Sequence, residues 1–81
     1  GQALDIDADV YGRVTNRELF RFIKENLIFD QLIWEFGDDD SPDWVHVSYR
    51  NEGSYAPSQP INRKQVKRAY RDSKGIHYKV I

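Results

Sequence analysis

Two hydrophobic periods alternate along this chain, one of two residues and one of about four. Residues 2–7 alternate apolar and acidic positions, which is typical of a strand, and Asp5 and Asp7 are predicted to share one of its faces. Residues 29–36 and 44–49 are rich in aromatic and β-branched side chains, and the charged segment between them contains Gly and Pro. These two segments are therefore predicted to form an antiparallel pair of strands.

A helix is predicted between the first two strands. Thr15 and Glu18 have the spacing of a capping box, in which each residue's side chain accepts a hydrogen bond from the other's backbone N–H. The helix should begin there and continue through about Asn26. Its apolar face is expected to comprise Leu19, Phe20, Ile23 and Leu27.

The C-terminal third of the chain predicts a loop followed by a hairpin. Residues 51–60 are polar with Gly and Pro, which favours a surface loop. Residues 65–71 and 76–81 flank a turn in which Gly75 suits a left-handed position, so they predict a terminal hairpin. A helix over residues 62–71 is the competing interpretation. Together these elements predict an α+β fold, in which one main helix packs on a small antiparallel sheet.

Composition narrows the kinds of site and partner. The 81 residues carry a net charge of −1 and no cysteine, so they predict a single domain, 1–81, in which any metal must use His, Asp or Glu. Acidic and basic residues are mixed, which does not favour nucleic-acid binding, and no apolar run is long enough for a membrane span. Because the sequence contains no methionine, we expect a processed form or a part of a longer protein.

Two short segments carry candidate metal ligands. His46 lies between β-branched neighbours in a strand, and the first strand presents Asp5. The spacing of Gly1, Ala3 and Asp5 matches the end of the motif Ser-x-His-x-x-Gly-x-Ala-x-Asp. On these residues the chain resembles the zinc D-Ala-D-Ala carboxypeptidase family, peptidoglycan peptidases that share their fold with the hedgehog signalling domain. Residues 29–36 also resemble the strand that precedes the histidine strand in that family.

The resemblance implies a zinc centre. Its protein ligands would be Asp5, His46 and a further histidine that the motif places three residues before Gly1. The chain would then be the C-terminal portion of a zinc peptidase catalytic domain with a hedgehog/DD-peptidase-like fold. Without the resemblance, the favoured interpretations are a solvent-facing strand carboxylate for Asp5 and a half-buried histidine bonded to the backbone for His46.

A zinc peptidase also needs a carboxylate base, and two residues are candidates. Asp43 precedes His46 by three positions, which matches the family's acid-x-x-His arrangement. Glu35 is near the end of the neighbouring predicted strand, from which it could reach the same site across the strand pair. Asp43 is slightly favoured, although a turn or bulge would have to direct its carboxylate toward the histidine.

The implied activity is hydrolysis of peptide bonds that involve D-amino acids, in the stem peptides or crosslinks of bacterial peptidoglycan. A carboxypeptidase and an endopeptidase both fit, as do a cell-envelope or secreted bacterial enzyme and a phage lysis protein (endolysin). The alternative is a non-catalytic module with the same fold, which binds the cell wall or another protein. Other polar groups have simpler explanations: His77 matches no motif, and the acidic residues 38–40 lack the spacing of a calcium loop.

Overall fold

Five strands form a single sheet in the order β1-β3-β2-β4-β5. The computed structural model describes residues 2–50 and 62–81. The elements are β1 (Gln2–Ile6), a 3-10 helix (Ala8–Tyr11), α1 (Asn16–Asn26), β2 (Gln31–Glu35), β3 (Trp44–Tyr49), β4 (Gln65–Asp72) and β5 (Gly75–Val80). The described part of the chain is therefore a small α+β domain with one α-helix and a five-stranded sheet. The predicted loop over 51–60 lies outside the described residues.

The predicted strand pair and terminal hairpin are confirmed, but the sheet is mixed. Strands β1 and β3, β2 and β3, and β4 and β5 pair antiparallel, whereas β2 and β4 are parallel. The expectation of an antiparallel sheet is therefore wrong at one pair, and the competing helix over 62–71 is wrong because β4 occupies most of that range. Strand β3 already has a neighbour on each side, so β4 adds to the free edge of β2. The Arg63 guanidinium bonds the Asp30 carboxylate at 2.8 and 3.0 Å, which fixes the start of β4 beside the start of β2.

Helix α1 begins as predicted and covers one face of the sheet. The Thr15 hydroxyl accepts from the backbone N–H of Glu18 at 3.1 Å, and the capping box is complete. The core between helix and sheet comprises Phe20, Ile23, Phe29, Leu32, Trp34 and Val45. Leu27 is not part of it, contrary to the prediction, because it follows the last helical residue and is 45% exposed.

Buried Asn16 links the helix to two other segments, the chain that follows β1 and the chain that precedes β3. Its Oδ1 accepts from the backbone N–H of Ala8 at 2.6 Å, and its Nδ2 lies 2.9 Å from the carbonyl oxygen of Asp43. Nδ2 also donates to the Asp7 carboxylate at 3.0 Å. Asp7 lies at the N-cap position of the 3-10 helix, beyond the end of β1 at Ile6. The prediction that it shares a strand face with Asp5 is therefore wrong. These bonds fix the chain that follows β1 against the chain that precedes β3.

Candidate metal centre

Three neighbouring strands bring the chemically active side chains to the sheet face opposite α1. Asp5 on β1 pairs with His46 on β3, and His46 pairs with Ile33 on β2. Glu35 lies two residues beyond Ile33, so strand alternation places it on the same face. Its neighbours Trp34 and Val45 point the other way, into the core against the helix.

The three polar side chains form a compact group. Nδ1 of His46 lies 2.9 Å from Oδ1 of Asp5, and one ligand atom each from Asp5, Glu35 and His46 lie within 4.8 Å of one another. Exposure rises across the group: Glu35 is 8% exposed, the His46 side chain 24% and the Asp5 side chain 64%. The group therefore has a buried end on β2 and an open end at the sheet edge.

The electrostatics of Glu35 follow from this position. Burial raises the pKa of the Glu35 carboxyl above its ordinary value, because water is withdrawn from the charged form. His46 acts in the opposite direction, and the nearby Asp5 carboxylate raises the pKa further. Glu35 thus holds a proton more readily than an exposed glutamate, which suits a group that must accept and release one.

A surface cavity of about 480 Å³ opens beside the group. Its other lining residues are Gln31, Ile33, Trp44, Lys67 and Tyr78. Aromatic side chains stand on two sides of Glu35, because Trp44 pairs with it from β3 and Tyr78 follows it across β4. Between Glu35 and Tyr78 the β4 residue is Ala69, which is fully buried.

The three side chains offer the types of ligand atom that hydrolytic zinc sites use. Zinc in catalytic sites is bound by imidazole nitrogens and carboxylate oxygens with an open position left for water. Asp5 and His46 offer one of each, on neighbouring strands whose pairing already holds them in contact. Glu35 offers a further oxygen, either as a ligand or as a base beside the ion.

Asp43, the base slightly favoured from the sequence, lies outside this group. It precedes β3, its side chain is exposed, and it does not line the cavity. Its backbone serves a different purpose, since its N–H donates to the carbonyl oxygen of Glu35 at 2.9 Å and its own carbonyl accepts from Asn16. Of the two candidate bases, the structure brings Glu35 to Asp5 and His46.

The remaining polar groups singled out in the sequence have local partners. Nε2 of His77 lies 2.9 Å from Oδ1 of Asp72 in the terminal hairpin. In the acidic loop, the Asp38 carboxylate accepts from the backbone N–H groups of Ser41 and Asp40, and these bonds lower the pKa of Asp38. The other two members of the loop form ion pairs, Asp39 with Arg68 and Asp40 with Arg17. The carboxylates of this loop therefore bind backbone N–H groups and arginines, and they form no metal-ligand group with other described residues.

Sequence reasoning did not find Lys67 or Tyr78, which line the cavity from β4 and β5. The two-residue period of β4 indicates which of its residues share a face with Lys67. It places that face at the cavity only once β4 is known to lie beside β2.

Comparison with protein-family models, with curated proteins and with solved structures gave no match for this chain. Among the described residues, no helix is both long and apolar enough to cross a membrane.

Proposed function

We propose that this chain is part of a zinc-dependent peptidase that cleaves D-amino-acid peptide bonds in bacterial peptidoglycan and has a hedgehog/DD-peptidase-like fold. The observation that carries the proposal is the convergence of Asp5, His46 and Glu35 from three adjacent strands. Two of these are the ligands that the family resemblance implies. The third is a buried carboxylate of raised pKa at the same place.

Each side chain has a distinct role in the proposal. Asp5 and His46 would hold the ion, together with the upstream histidine that the resemblance implies. When bound, zinc supplies Lewis acidity, which lowers the pKa of water and polarises an amide carbonyl. Glu35 is the general base, because it is the most buried of the three and retains a proton more readily than an ordinary glutamate.

The reaction is an amide hydrolysis in which Glu35 transfers a proton. As the water oxygen bonds to the carbonyl carbon, the Glu35 carboxylate accepts a proton from that water. It then delivers the proton to the amide nitrogen as the C–N bond breaks. Water and peptide thus give one carboxylic acid, which keeps the second proton of the water, and one amine. Trp44 and Tyr78 stand beside the cavity where the peptide would lie.

The first experiment is a calorimetric titration of zinc into the chain at neutral pH. Saturable binding is expected, and His46→Ala and Asp5→Ala should each weaken it at least about tenfold. His77→Ala is a matched control, because His77 also lies 2.9 Å from an aspartate oxygen but belongs to no three-residue group among the described residues. Absence of saturable binding both here and in a chain extended to include the upstream histidine, or equal loss in the His77 variant, would contradict the metal site and favour a non-catalytic recognition module.

A second titration tests the implied third ligand. A chain extended upstream to include that histidine is expected to bind zinc more tightly than the present chain and to hydrolyse peptidoglycan stem peptides or crosslinks. In the extended chain, Glu35→Gln should leave zinc bound while hydrolysis falls by about 10²–10⁴-fold. Unchanged hydrolysis in that variant would remove Glu35 from the role of base.

A further inference from the structure

The cavity contains one cationic side chain among its described lining residues, that of Lys67 on β4. Cross-strand pairing aligns Asp5, His46, Ile33 and Lys67 in one row across the sheet. The polar group and the lysine therefore face the same cavity from opposite sides of Ile33, with acidic groups at one end of the row and a positive charge at the other.

Lys67 has no carboxylate partner within the part of the chain that the structure describes, although it is half-buried. Three arginines of the described residues are paired, Arg63 with Asp30, Arg68 with Asp39 and Arg17 with Asp40. Lys67 differs from the other lysines in its burial, because all of the others are exposed. Asp5 and Glu35 line the same cavity, but neither forms an ion pair with Lys67. A partly desolvated cation without an ion-pair partner can gain a strong, charge-assisted bond from an anionic ligand.

The position of Lys67 indicates where that anion would lie. Neighbouring strands are about 4.8 Å apart, so the backbones of His46 and Lys67 are separated by about 10 Å with Ile33 between them. A donor to the reacting carbonyl oxygen must approach it to about 3 Å. Lys67 is therefore better placed to bind an anionic group a few bonds away from the reacting carbon. It is less well placed to donate a hydrogen bond to the oxygen of the reacting carbonyl.

We propose that Lys67 binds a free carboxylate of the substrate next to the scissile amide, on the side of the departing amine. The inference rests on the proposed peptidase function and narrows its substrate class. Such a carboxylate has two chemical sources. It is the terminus of a peptide whose last residue is removed, or it is the α-carboxylate of an internal glutamyl residue that is linked through its side chain.

The test follows lysine side-chain signals by NMR in the full chain with labelled lysines, with and without zinc. The probes are N-acetyl-D-alanine and N-acetyl-D-glutamine, which carry free α-carboxylates, and N-acetyl-D-alaninamide, which does not. The Lys67 signal should shift saturably with either acid, and Lys67→Gln should weaken acid binding about tenfold. Tighter binding of the alanine acid supports a terminal residue, and tighter binding of the glutamine acid supports a side-chain-linked glutamyl residue.

The matched control is Lys24→Gln, which removes the same charge from the exposed surface of helix α1 on the other side of the sheet. It should leave acid binding unchanged. The inference is overturned if wild type and Lys67→Gln bind the acids with equal affinity. It is also overturned if Lys67→Gln weakens binding of the amide as much as binding of the acids. Failure of the proposed function is seen separately, in the zinc titration, because the response of the Lys67 signal is also recorded without metal.

Discussion

Nδ1 of His46 lies 2.9 Å from Oδ1 of Asp5, although 41 positions separate the two residues in the sequence. The contact depends on the pairing of β1 with β3, in which these residues are direct partners. Glu35 joins them through the second pairing of β3, with β2. A change that loosens either pairing should therefore disturb the candidate site even if it touches none of the three side chains.

The turn after β2 offers the sharpest test of that dependence. Gly37 has φ +69°, and a Cβ there would lie 2.2 Å from the carbonyl oxygen of Ser41. Gly37→Ala should therefore lower the free energy of unfolding by at least about 2 kcal/mol, through an unfavourable backbone conformation and a clash with backbone. Zinc affinity should fall with it, because this turn connects the strands of Glu35 and His46.

Gly12→Ala is the matched control for that prediction. Gly12 has φ +72°, but nothing lies within 4 Å of the added Cβ, so the loss should be only about 1 kcal/mol. Urea unfolding of both variants gives the comparison. Equal losses would show that the Gly37 turn opens without cost and does not constrain the site.

Asn16 should be far more important to stability than an ordinary helix asparagine. Its side chain is fully buried and bonds the backbone on both sides of the site, at Ala8 and at Asp43. Asn16→Ala leaves those backbone groups without partners and should cost about 2–3 kcal/mol. Asn26→Ala, at the exposed end of the same helix, should cost less than about 0.5 kcal/mol in the same unfolding assay. A small loss at Asn16 would mean that water replaces its amide.

Several elements of the fold were predictable because their signals are local. The capping box of Thr15 and Glu18 fixed the start of the helix, and the aromatic and β-branched runs located β2 and β3. Gly75 adopts φ +120° in the turn of the predicted hairpin. The parallel pairing of β2 with β4 was not predictable. The alternation of apolar and polar residues indicates which residues share a strand face, but it does not indicate which strand lies beside another.

The difference between knowing a strand's faces and knowing its neighbours also explains which site residues were predictable from the sequence. The proximity of Glu35 and His46 follows from an antiparallel pair that the pattern predicted. Asp43 matched a motif spacing, but the pairing of β2 and β3 is regular from Glu35 and Trp44 onward, and no bulge directs its carboxylate to the site. Lys67 depended on the parallel pair and so was found only in the structure.

Asp30 should make the fold sensitive to acid. The side-chain hydrogen bonds from Arg63 lower the pKa of the Asp30 carboxyl, despite an opposing effect of burial. A lowered folded-state pKa gives stability that is present above the unfolded value, near 4, and is lost as the pH falls through the folded value. Asp30→Asn should therefore be less stable than wild type at neutral pH, with a difference that shrinks below about pH 4.

Urea unfolding of the Asp30 variant across this pH range checks the prediction. Arg63→Lys is the companion variant, because it keeps the positive charge but loses the two-point contact. It should fall between wild type and Asp30→Asn. A pH-independent difference between wild type and Asp30→Asn would show that the carboxylate stabilises the fold by shape and not by charge.

Glu35 should make stability depend on pH in the opposite direction to Asp30, because its pKa is raised and not lowered. Burial raises the pKa of the Glu35 carboxyl in the folded protein, so between the unfolded and folded values the folded state binds more protons. Stability contributed by this group is complete below the unfolded pKa and declines as the pH rises through the folded pKa. Each unit of difference corresponds to about 1.4 kcal/mol.

Glu35→Gln cannot ionise, so without metal it should gain stability relative to wild type as the pH rises from about 4 to 7. Glu25→Gln, which removes a carboxylate from the exposed surface of α1, is the control. Saturating zinc should reduce the difference between wild type and Glu35→Gln at neutral pH, because a cation beside the buried carboxylate offsets its loss of water. A difference that is flat with pH would mean that burial does not disfavour the charged form of Glu35. A difference that zinc leaves unchanged would mean that Glu35 is not close to the ion, and either result would remove Glu35 as the proposed base.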